Sequence, residues 1–451
     1  MRLPLLGKDP ETVNEAESIK IIRYAIDHGI NYLNLSYTYN RKQYENLSKL
    51  VGQALQDGYR EKVKIAASLP SFFTGSSFDF DHYLNEQLKW LQIDNIDFYL
   101  LGGLNRKTWH RLLGLNVLHW TETALVDGRI GKLGFSFHDH FQALREIVSA
   151  YDNWSLCQFQ YSYMDVDHHP GIGGLKFAAD KGLAVVVSEP FKGGWLTKEP
   201  PESVARVWAN DSPKRTHAEW GLRWVWNLPE VSTVVSDMSS MEQVIENVNL
   251  ADSAKPNSLI IEEQVLVSRV RDAFRKLKPI PCTTCRGCMP CPQGIDVPRI
   301  FELYNDAIMY DDIEKISSVY NAEGHRIDKC DECGACIRGC PAGAISQERA
   351  VEVRVGDRLF RHGALDIEKC VQIHQGWDPS YSPFLRQDSS RDNPPPYYQF
   401  LDRRFRHRAI CVGRGCVRAC VDHLEKTGRI ERQYRVPMIE GEQWVIEGPL
   451  E

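Results

Sequence analysis

Short apolar runs alternate with longer amphipathic stretches through residues 1–255 of the chain. The amphipathic stretches carry apolar residues at helical spacing, and the runs between them have the length of buried strands. Strands that alternate with helices favour βαβ units and a parallel sheet. The visible runs are Ile30–Leu35, Val63–Leu69, Ile96–Leu101, Lys132–Phe137, Leu156–Tyr161, Leu183–Ser188 and Val231–Val235.

The number of these strands points to a closed barrel. With the start of the chain as a candidate eighth strand, the pattern predicts an α/β fold of the (β/α)8 TIM-barrel type. A doubly wound sheet is the alternative, but such a sheet is expected to carry a glycine-rich phosphate-binding turn after its first strand. No such turn follows Leu35.

The pattern changes after the barrel. Pro256 and Asn257 interrupt it, and residues Ile260–Leu277 then have the apolar spacing of one helix. We therefore predict four regions: a barrel over residues 1–255, a linker helix within 256–280, a small α-helical domain over 281–350, and a C-terminal extension over 351–451.

Composition narrows the functional classes. The chain has 451 residues, of which 43% are hydrophobic and 25% are charged, and its net charge of -6 gives no whole-chain argument for nucleic-acid binding. No apolar run reaches the roughly 18 residues that a membrane span needs. The N-terminal sequence MRLPLLGKDP lacks the apolar core of a secretion signal. We therefore expect a cytoplasmic protein with no membrane span and no nucleic-acid partner.

Cysteine is concentrated at one end of the chain. Of 13 cysteines only Cys157 precedes residue 281, and this clustering favours metal ligation over a disulfide framework. Cysteines two residues apart can wrap three corners of a [4Fe–4S] cube, and in two-cluster ferredoxins the fourth ligand comes from the partner motif. The two motifs are Cys282-x2-Cys285-x2-Cys288-x2-Cys291-Pro and Cys330-x2-Cys333-x2-Cys336-x3-Cys340-Pro.

These motifs predict a ferredoxin-type domain with two [4Fe–4S] clusters. One cluster is assigned to Cys282, Cys285, Cys288 and Cys340, and the other to Cys330, Cys333, Cys336 and Cys291. Paired zinc knuckles are the alternative, because C-x2-C pairs also bind zinc. Two groups of four cysteines that each end in Cys-Pro favour the iron–sulfur interpretation.

Four further cysteines form a candidate third metal site. Four thiols could hold another iron–sulfur cluster, or they could bind zinc with help from His374 or His423. Reduced structural cysteines are the third interpretation, and the spacing does not distinguish among the three. The four are Cys370, Cys411, Cys416 and Cys420.

Several segments resemble one enzyme family. They include DHGINYLNLSYTY, LQIDNIDFYLL, GKLGFSFHD, CQFQYSYMD and CTTCRGCMPCPQGIDVPRIFELYN. Residues 1–310 are similar to aldo/keto reductases whose barrel is fused to a C-terminal [4Fe–4S] dicluster domain. This resemblance implies a (β/α)8 barrel, NADPH at the carboxyl-terminal mouth of the barrel, and reduction of carbonyl groups to alcohols.

The resemblance also implies a catalytic set of Asp, Tyr, Lys and His, in which the tyrosine donates a proton and the lysine lowers its pKa. In this chain the Asp, Lys and His positions hold Asn34, Ser68 and Gly102, and the tyrosine position holds Tyr39. Tyr39 is thus the one candidate catalytic residue. Because an isolated tyrosine titrates near pKa ~10, we expect a barrel that is inactive as an NADPH-dependent carbonyl reductase.

The family's cofactor positions are retained in part. Ser136 and Gln158 match positions that hold the nicotinamide carboxamide, and Gln243 and Asn247 match the cofactor motif near the last strand. Asp237 replaces a glycine in that motif, and its carboxylate would repel the cofactor's phosphates. The sequence therefore predicts a vestigial nicotinamide site and argues against NADP(H) binding.

The leading interpretation is an iron–sulfur oxidoreductase that transfers electrons through its clusters to a redox partner, either a ferredoxin-like carrier or another redox subunit. The basic run Arg403–Arg408 is a candidate docking surface for an acidic carrier, and a solvated helix face is the plainer interpretation. Two alternatives stay open. One is an active reductase in the barrel mouth that is fed by the clusters, and the other is a subunit of a larger redox complex.

Overall fold

The computed structural model describes residues 3–4, 13–37, 40–167, 170–209, 214–280, 282, 289 and 291–324, together with the backbone of residues 345–355 and 358–365. The chain divides into two units, Met1–Lys276 and Leu277–Glu451. Within the described residues, no helix is long and apolar enough to cross a membrane.

The first unit is built on a parallel sheet of seven strands, which lie side by side in the order of the chain. Each of the seven predicted strands is present, so that prediction is confirmed. The strands are β1 (Tyr32–Leu35), β2 (Lys64–Leu69), β3 (Ile96–Leu104), β4 (Ile130–Phe137), β5 (Leu156–Gln160), β6 (Ala184–Ser188) and β7 (Val231–Val234).

The candidate eighth strand lies mostly outside the described residues, which include only Leu3 and Pro4 of residues 1–12. Leu3 is buried in an apolar cluster with Leu33 of β1. The carbonyl oxygen of Pro4 accepts a hydrogen bond of 2.8 Å from the N–H of Asn14. The described part of the N-terminal segment therefore packs beside β1.

Helices follow the strands, as the alternating pattern predicts. Several begin at a residue whose side chain accepts a backbone N–H, such as Asn14, Thr216 and Ser240. The helices are α1 (Glu15–Asp27), α2 (Arg41–Ala54), α3 (Phe78–Leu91), α4 (Arg106–Gly114), α5 (Val117–Val126), α6 (Phe141–Ser149), α7 (Gly171–Asp180), α8 (Glu202–Trp208), α9 (His217–Trp226), α10 (Met241–Ser253) and α11 (Ile261–Lys276).

The sheet buries apolar side chains on both faces. Leu100, Leu156 and Val186 pack together on the inner face, whereas Leu101 and Phe135 belong to the main core between the strands and the helices. Successive residues of a strand point to opposite faces, so the two clusters alternate along the strands. A sheet that is apolar on both faces is typical of parallel strands enclosed by helices.

The helix predicted over Ile260–Leu277 is present as α11, and it packs against α8 within the first unit. Its buried residues are Val267, Val270 and Phe274, which recur at helical spacing. The boundaries of the four predicted regions stay predictions.

The second unit contains two described helices and an antiparallel pair of strands. The elements are α12 (Val297–Met309), α13 (Ile313–Ala322), β8 (Ile345–Val355) and β9 (Arg358–Leu365). Arg299 of α12 donates hydrogen bonds of 3.0 and 2.6 Å to the Glu323 carboxylate, just after α13. This bidentate pair ties the two helices together.

Candidate functional site

Polar side chains lie toward the carboxyl ends of strands β1 and β5. Gln158 lies two residues beyond Leu156 of the inner apolar cluster, and Asn34 lies two residues beyond Tyr32, which packs against that cluster. Residues two apart on a strand share a face. Polar groups therefore close the inner face at the end of the strands, where the sequence predicted the remnants of a catalytic site.

The first such group is a pair of amides that bind each other. Nδ2 of Asn34 donates a hydrogen bond of 2.9 Å to Oε1 of Gln158, and the hydroxyl of Ser36 donates one of 2.8 Å to Oδ1 of Asn34. The sequence assigned Asn34 to the position of the catalytic Asp and Gln158 to a contact of the nicotinamide carboxamide, and both assignments stay predictions. Both side chains are uncharged amides, and each forms a hydrogen bond within the protein.

The two residues predicted at the Lys and His positions, Ser68 and Gly102, are small and pack tightly. Ser68 is buried, and its carbonyl oxygen accepts a hydrogen bond of 2.9 Å from Nε2 of the buried Gln87. At Gly102 a Cβ atom would lie 2.5 Å from the carbonyl oxygen of Leu69. A histidine could therefore not replace Gly102 unless the backbone moved.

A β-bulge explains this close approach. The pairing of β3 with β4 shifts by one residue between Leu101 and Leu104, and Gly103 has a φ of 62°, which favours glycine. The N–H of Gly103 donates a hydrogen bond of 2.7 Å to Oγ of Ser136. The Ser136 oxygen, predicted as a cofactor contact, thus holds the bulge in place.

Tyr39 lies outside the described residues, so its predicted role stays a prediction. The nearest described tyrosine before it, Tyr37, contacts the ring of Tyr44 at a centroid distance of 4.3 Å. Burial, followed by the nearby phenol of Tyr83, raises the pKa of Tyr37 to about 12. A raised pKa makes a tyrosine a weaker acid, which is the opposite of what proton donation to a carbonyl needs.

A cleft of about 920 Å³ opens beside these groups. Its walls come from β1, the loop after β6, the start of α9, and the segment that leads from β7 into α10. Asn34, Gln158, Gln243 and Asn247 all line it. The structure thus brings four predicted site residues to one cleft, while Ser136 is engaged at the bulge.

The two predicted residues on α10 stand one turn apart. Oε1 of Gln243 accepts a hydrogen bond of 2.8 Å from the N–H of Ser239, and the Ser240 hydroxyl caps the helix by accepting from the N–H of Gln243. Asn247 follows on the same side of the helix. The side chain of Gln243 therefore also holds the backbone of the segment that precedes α10.

Charge in the cleft is mainly negative, which the sequence showed only at Asp237. Glu189 and Glu246 also line it, and Arg215 is the sole lining residue with a permanent positive charge among those described. Arg215 forms ion pairs with Glu263 and, at 3.5 Å, with Glu219. Its positive charge is therefore already balanced by carboxylates. Glu189 and Arg215 lie apart in sequence, so no local motif marked them.

Of the eight predicted cluster ligands, the described residues include Cys282 and Cys291. Both are half-buried thiols and not halves of a disulfide, so their chemistry suits thiolate ligation. The described residues alone contain no group of three or more metal-binding side chains. The ligands outside the described residues are Cys285, Cys288, Cys330, Cys333, Cys336 and Cys340, and so are Cys370, Cys411, Cys416 and Cys420.

Comparison with protein families decides the classification. The model of the aldo/keto reductase family matches residues 5–258, more than half of the chain. The chain belongs to the aldo/keto reductase family. Its parallel sheet and helices are the barrel of that family, and the predicted fold class is confirmed. A 4Fe-4S dicluster domain matches residues 281–345, so this aldo/keto reductase carries an iron–sulfur domain after its barrel.

Solved aldo-keto reductases are similar to parts of the chain. One from Bacillus halodurans, in its holo form, is 23% identical with a TM-score of 0.47, and the match covers 60% of this chain and 91% of that one. One from Klebsiella pneumoniae, in complex with NADPH, is 20% identical with a TM-score of 0.45, covering 57% of this chain and 85% of that one. No curated protein matches the chain.

Proposed function

We propose that this member of the aldo/keto reductase family is an electron-transfer protein whose barrel does not reduce carbonyl groups with NADPH. The observation that carries the proposal is the hydrogen bond of 2.9 Å between Asn34 and Gln158. It joins two neutral amides at positions where the family has a carboxylate and a site for the nicotinamide carboxamide. The iron–sulfur domain after the barrel supports the electron-transfer role.

Carbonyl reduction needs a hydride and a proton. In the family, a lysine held by a carboxylate makes the donor tyrosine more acidic, and it does so because a nearby positive charge favours the phenolate. Asn34 and Ser68 carry no charge, and a side chain at Gly102 would meet the backbone. These residues supply neither the positive charge nor the substrate-orienting imidazole.

The cleft also fits NADP(H) poorly. The cofactor is an anion, and Glu189, Asp237 and Glu246 place carboxylates along the walls. Like charges that share a partly enclosed site repel each other. The guanidinium of Arg215, which could have balanced a phosphate, is engaged with Glu219 and Glu263.

The cysteines supply the redox chemistry of this proposal. Bound [4Fe–4S] clusters exchange single electrons at potentials set by the surrounding protein. The proposed ligands of the first cluster are Cys282, Cys285, Cys288 and Cys340, and those of the second are Cys330, Cys333, Cys336 and Cys291. The proposed partner is a redox protein, and its candidate docking segment is the basic run Arg403–Arg408, which lies outside the described residues.

The test combines metal analysis with an enzyme assay on anaerobically purified protein. We expect about eight irons per chain for two clusters, whereas about twelve would indicate a third cluster at the last four cysteines. We also expect no oxidation of NADPH in the presence of a panel of aldehydes. Turnover like that of an aldo-keto reductase with an intact catalytic set would refute the proposal.

An active barrel fed by the clusters is the second candidate. It is favoured by the size of the cleft, because about 920 Å³ lies within the range of small-molecule sites. In this case reduced clusters would replace NADPH as the electron source. A substrate that reoxidises the reduced protein, and stops doing so when Asn34→Trp blocks the cleft, would support this candidate over pure electron transfer.

A further inference from the structure

The backbone just before the first cysteine motif is held by one side chain of α12. Oδ1 of Asn305 accepts a hydrogen bond of 2.9 Å from the N–H of Ile280. Nδ2 of Asn305 donates one of 2.6 Å to the carbonyl oxygen of the same residue. A single amide thus satisfies both backbone groups of Ile280, 25 residues earlier in the chain.

This contact reaches directly to a predicted cluster ligand. The N–H of Cys282 donates a hydrogen bond of 2.7 Å to the Ile280 carbonyl oxygen, which Asn305 also binds. The position of the Cys282 backbone is therefore coupled to Asn305 through one shared acceptor. Ile280 is itself buried, so the segment is anchored by packing as well as by hydrogen bonds.

The other end of the motif joins the same helix. The carbonyl oxygen of Cys291 accepts a hydrogen bond of 2.9 Å from the N–H of Gly294, whose φ of 71° favours glycine. Asp296 then caps α12 by accepting from the N–H of Arg299. The first cysteine motif is thus bounded at both ends by contacts that lead to α12.

The choice of asparagine at this position has a physical cost. Asn305 is 4% exposed, and Met309, one turn further along the same face of α12, is also buried. Burying an amide among apolar side chains is unfavourable unless its polar atoms are hydrogen-bonded. A leucine would stabilise the packing of the helix more than an asparagine does. The two hydrogen bonds to Ile280 therefore explain why an amide occupies this position.

We propose that Asn305 is a positioning residue for the first cluster, because it fixes the backbone from which Cys282 presents its thiolate. This inference rests on the proposed two-cluster function. Groups that orient a metal ligand from behind typically contribute about 10- to 100-fold to metal affinity. Both side-chain hydrogen bonds of Asn305 go to the backbone of Ile280, so Asn305 acts on Cys282 through that residue.

Two substitutions in the full-length protein test the proposal. Asn305→Leu removes both bonds, and Asn305→Asp keeps an acceptor for the Ile280 N–H but loses the donor to its carbonyl oxygen. For either variant we expect chelator-driven iron loss to show one phase at least about 10-fold faster than in the wild type. The EPR signal of one reduced cluster should change while that of the other stays the same.

Matched controls separate positioning from general stability. Asn321→Leu alters an exposed asparagine of α13 in the same unit, and Asn227→Leu removes a comparable bond, 2.8 Å to the N–H of Leu259, in the barrel unit. Neither should change the rate of iron loss. If Asn305→Leu fails to fold, Asn305→Asp decides the question.

The outcomes also separate this inference from the proposed function. Wild-type protein without iron would refute both. Wild-type protein with about eight irons, combined with Asn305→Asp that loses iron at the wild-type rate and has an unchanged EPR spectrum, would overturn the inference alone.

Discussion

Gly102 occupies the place in β3 where an added side chain meets the backbone. A Cβ atom would lie 2.5 Å from the Leu69 carbonyl oxygen and 3.2 Å from Cβ of Ser68. We predict that Gly102→Ala lowers the free energy of unfolding by about 1–3 kcal/mol, because the bulge must shift to relieve the overlap. Chemical denaturation followed by tryptophan fluorescence measures this change.

Gly173 in α7 is the matched control, because a Cβ atom there has no neighbour within 4 Å. Gly173→Ala should leave the free energy of unfolding unchanged or raise it by up to about 1 kcal/mol, since alanine favours helix. Equal stability of the two variants would show that the bulge tolerates a side chain.

Asp97 is a largely buried carboxylate that binds groups from two neighbouring segments of the barrel. Its carboxylate accepts hydrogen bonds of 2.9 Å from the N–H of Ile65 and from Lys64, and one of 2.8 Å from Arg60. Burial alone would raise the pKa of Asp97. The hydrogen bonds and the charges of Arg60 and Lys64 have a larger, opposite effect, so the pKa lies below its ordinary value.

A lowered folded-state pKa means that the ionised form stabilises the fold. This contribution is complete above the ordinary pKa of 3.8 and is lost as the pH falls through the folded-state value. We predict that Asp97→Asn costs about 1–3 kcal/mol at neutral pH, and that the difference from the wild type shrinks below about pH 4. Asp94→Asn, at an exposed position nearby, serves as the control in the same unfolding titration. A difference that stayed constant down to pH 3 would contradict this role for Asp97.

The sequence predicted several residues of the candidate site, but not all of the contacts that they make. The positions of Asn34 and Gln158 followed from the family pattern, but their bond spans 124 residues and depends on the curvature of the sheet. The bulge at Gly102–Gly103 was not predicted, although glycine inside a strand often marks one. The pairing of Arg215 with Glu263 was not visible, because it joins α11 to the loop before α9.

At the scale of elements, α11 is held to the barrel unit by a narrow apolar face. Phe274 is 2% exposed, and α11 packs on α8. We predict that Phe274→Ala lowers the free energy of unfolding by about 3–5 kcal/mol, because a large buried ring leaves a cavity. Denaturation of the full-length protein measures the loss.

The exposed end of the same helix supplies the comparison. Ile261 is 75% exposed, so Ile261→Ala should change the free energy of unfolding by less than about 0.5 kcal/mol. If both substitutions had the same small effect, α11 would not depend on this face for its attachment.

Strands and helices of the barrel could be predicted because their apolar patterns differ in period. Val185 and Val187 point outward and Val186 inward, so β6 reads as a continuous apolar run. The pair β8–β9 was missed, although Val351 and Val353 alternate with charged residues at the spacing of a strand. That signal was short and followed directly on the cysteine motifs.

At the scale of the whole molecule, the sequence predicted both the barrel and the iron–sulfur domain, because each carries a dense local signature. The charge of the cleft was harder to predict from the sequence. Its negative charge comes from Glu189, Asp237 and Glu246, which lie on three separate segments and meet only in the folded barrel. Distant charges of this kind leave no periodic pattern.

The most direct test of the central claim is an anaerobic reductive titration of the purified protein, followed by EPR. The account predicts that each chain takes up about two electrons and that two [4Fe–4S] signals appear together with them. A protein that takes up no electrons, and instead oxidises NADPH in step with alcohol formation from an aldehyde, would contradict it.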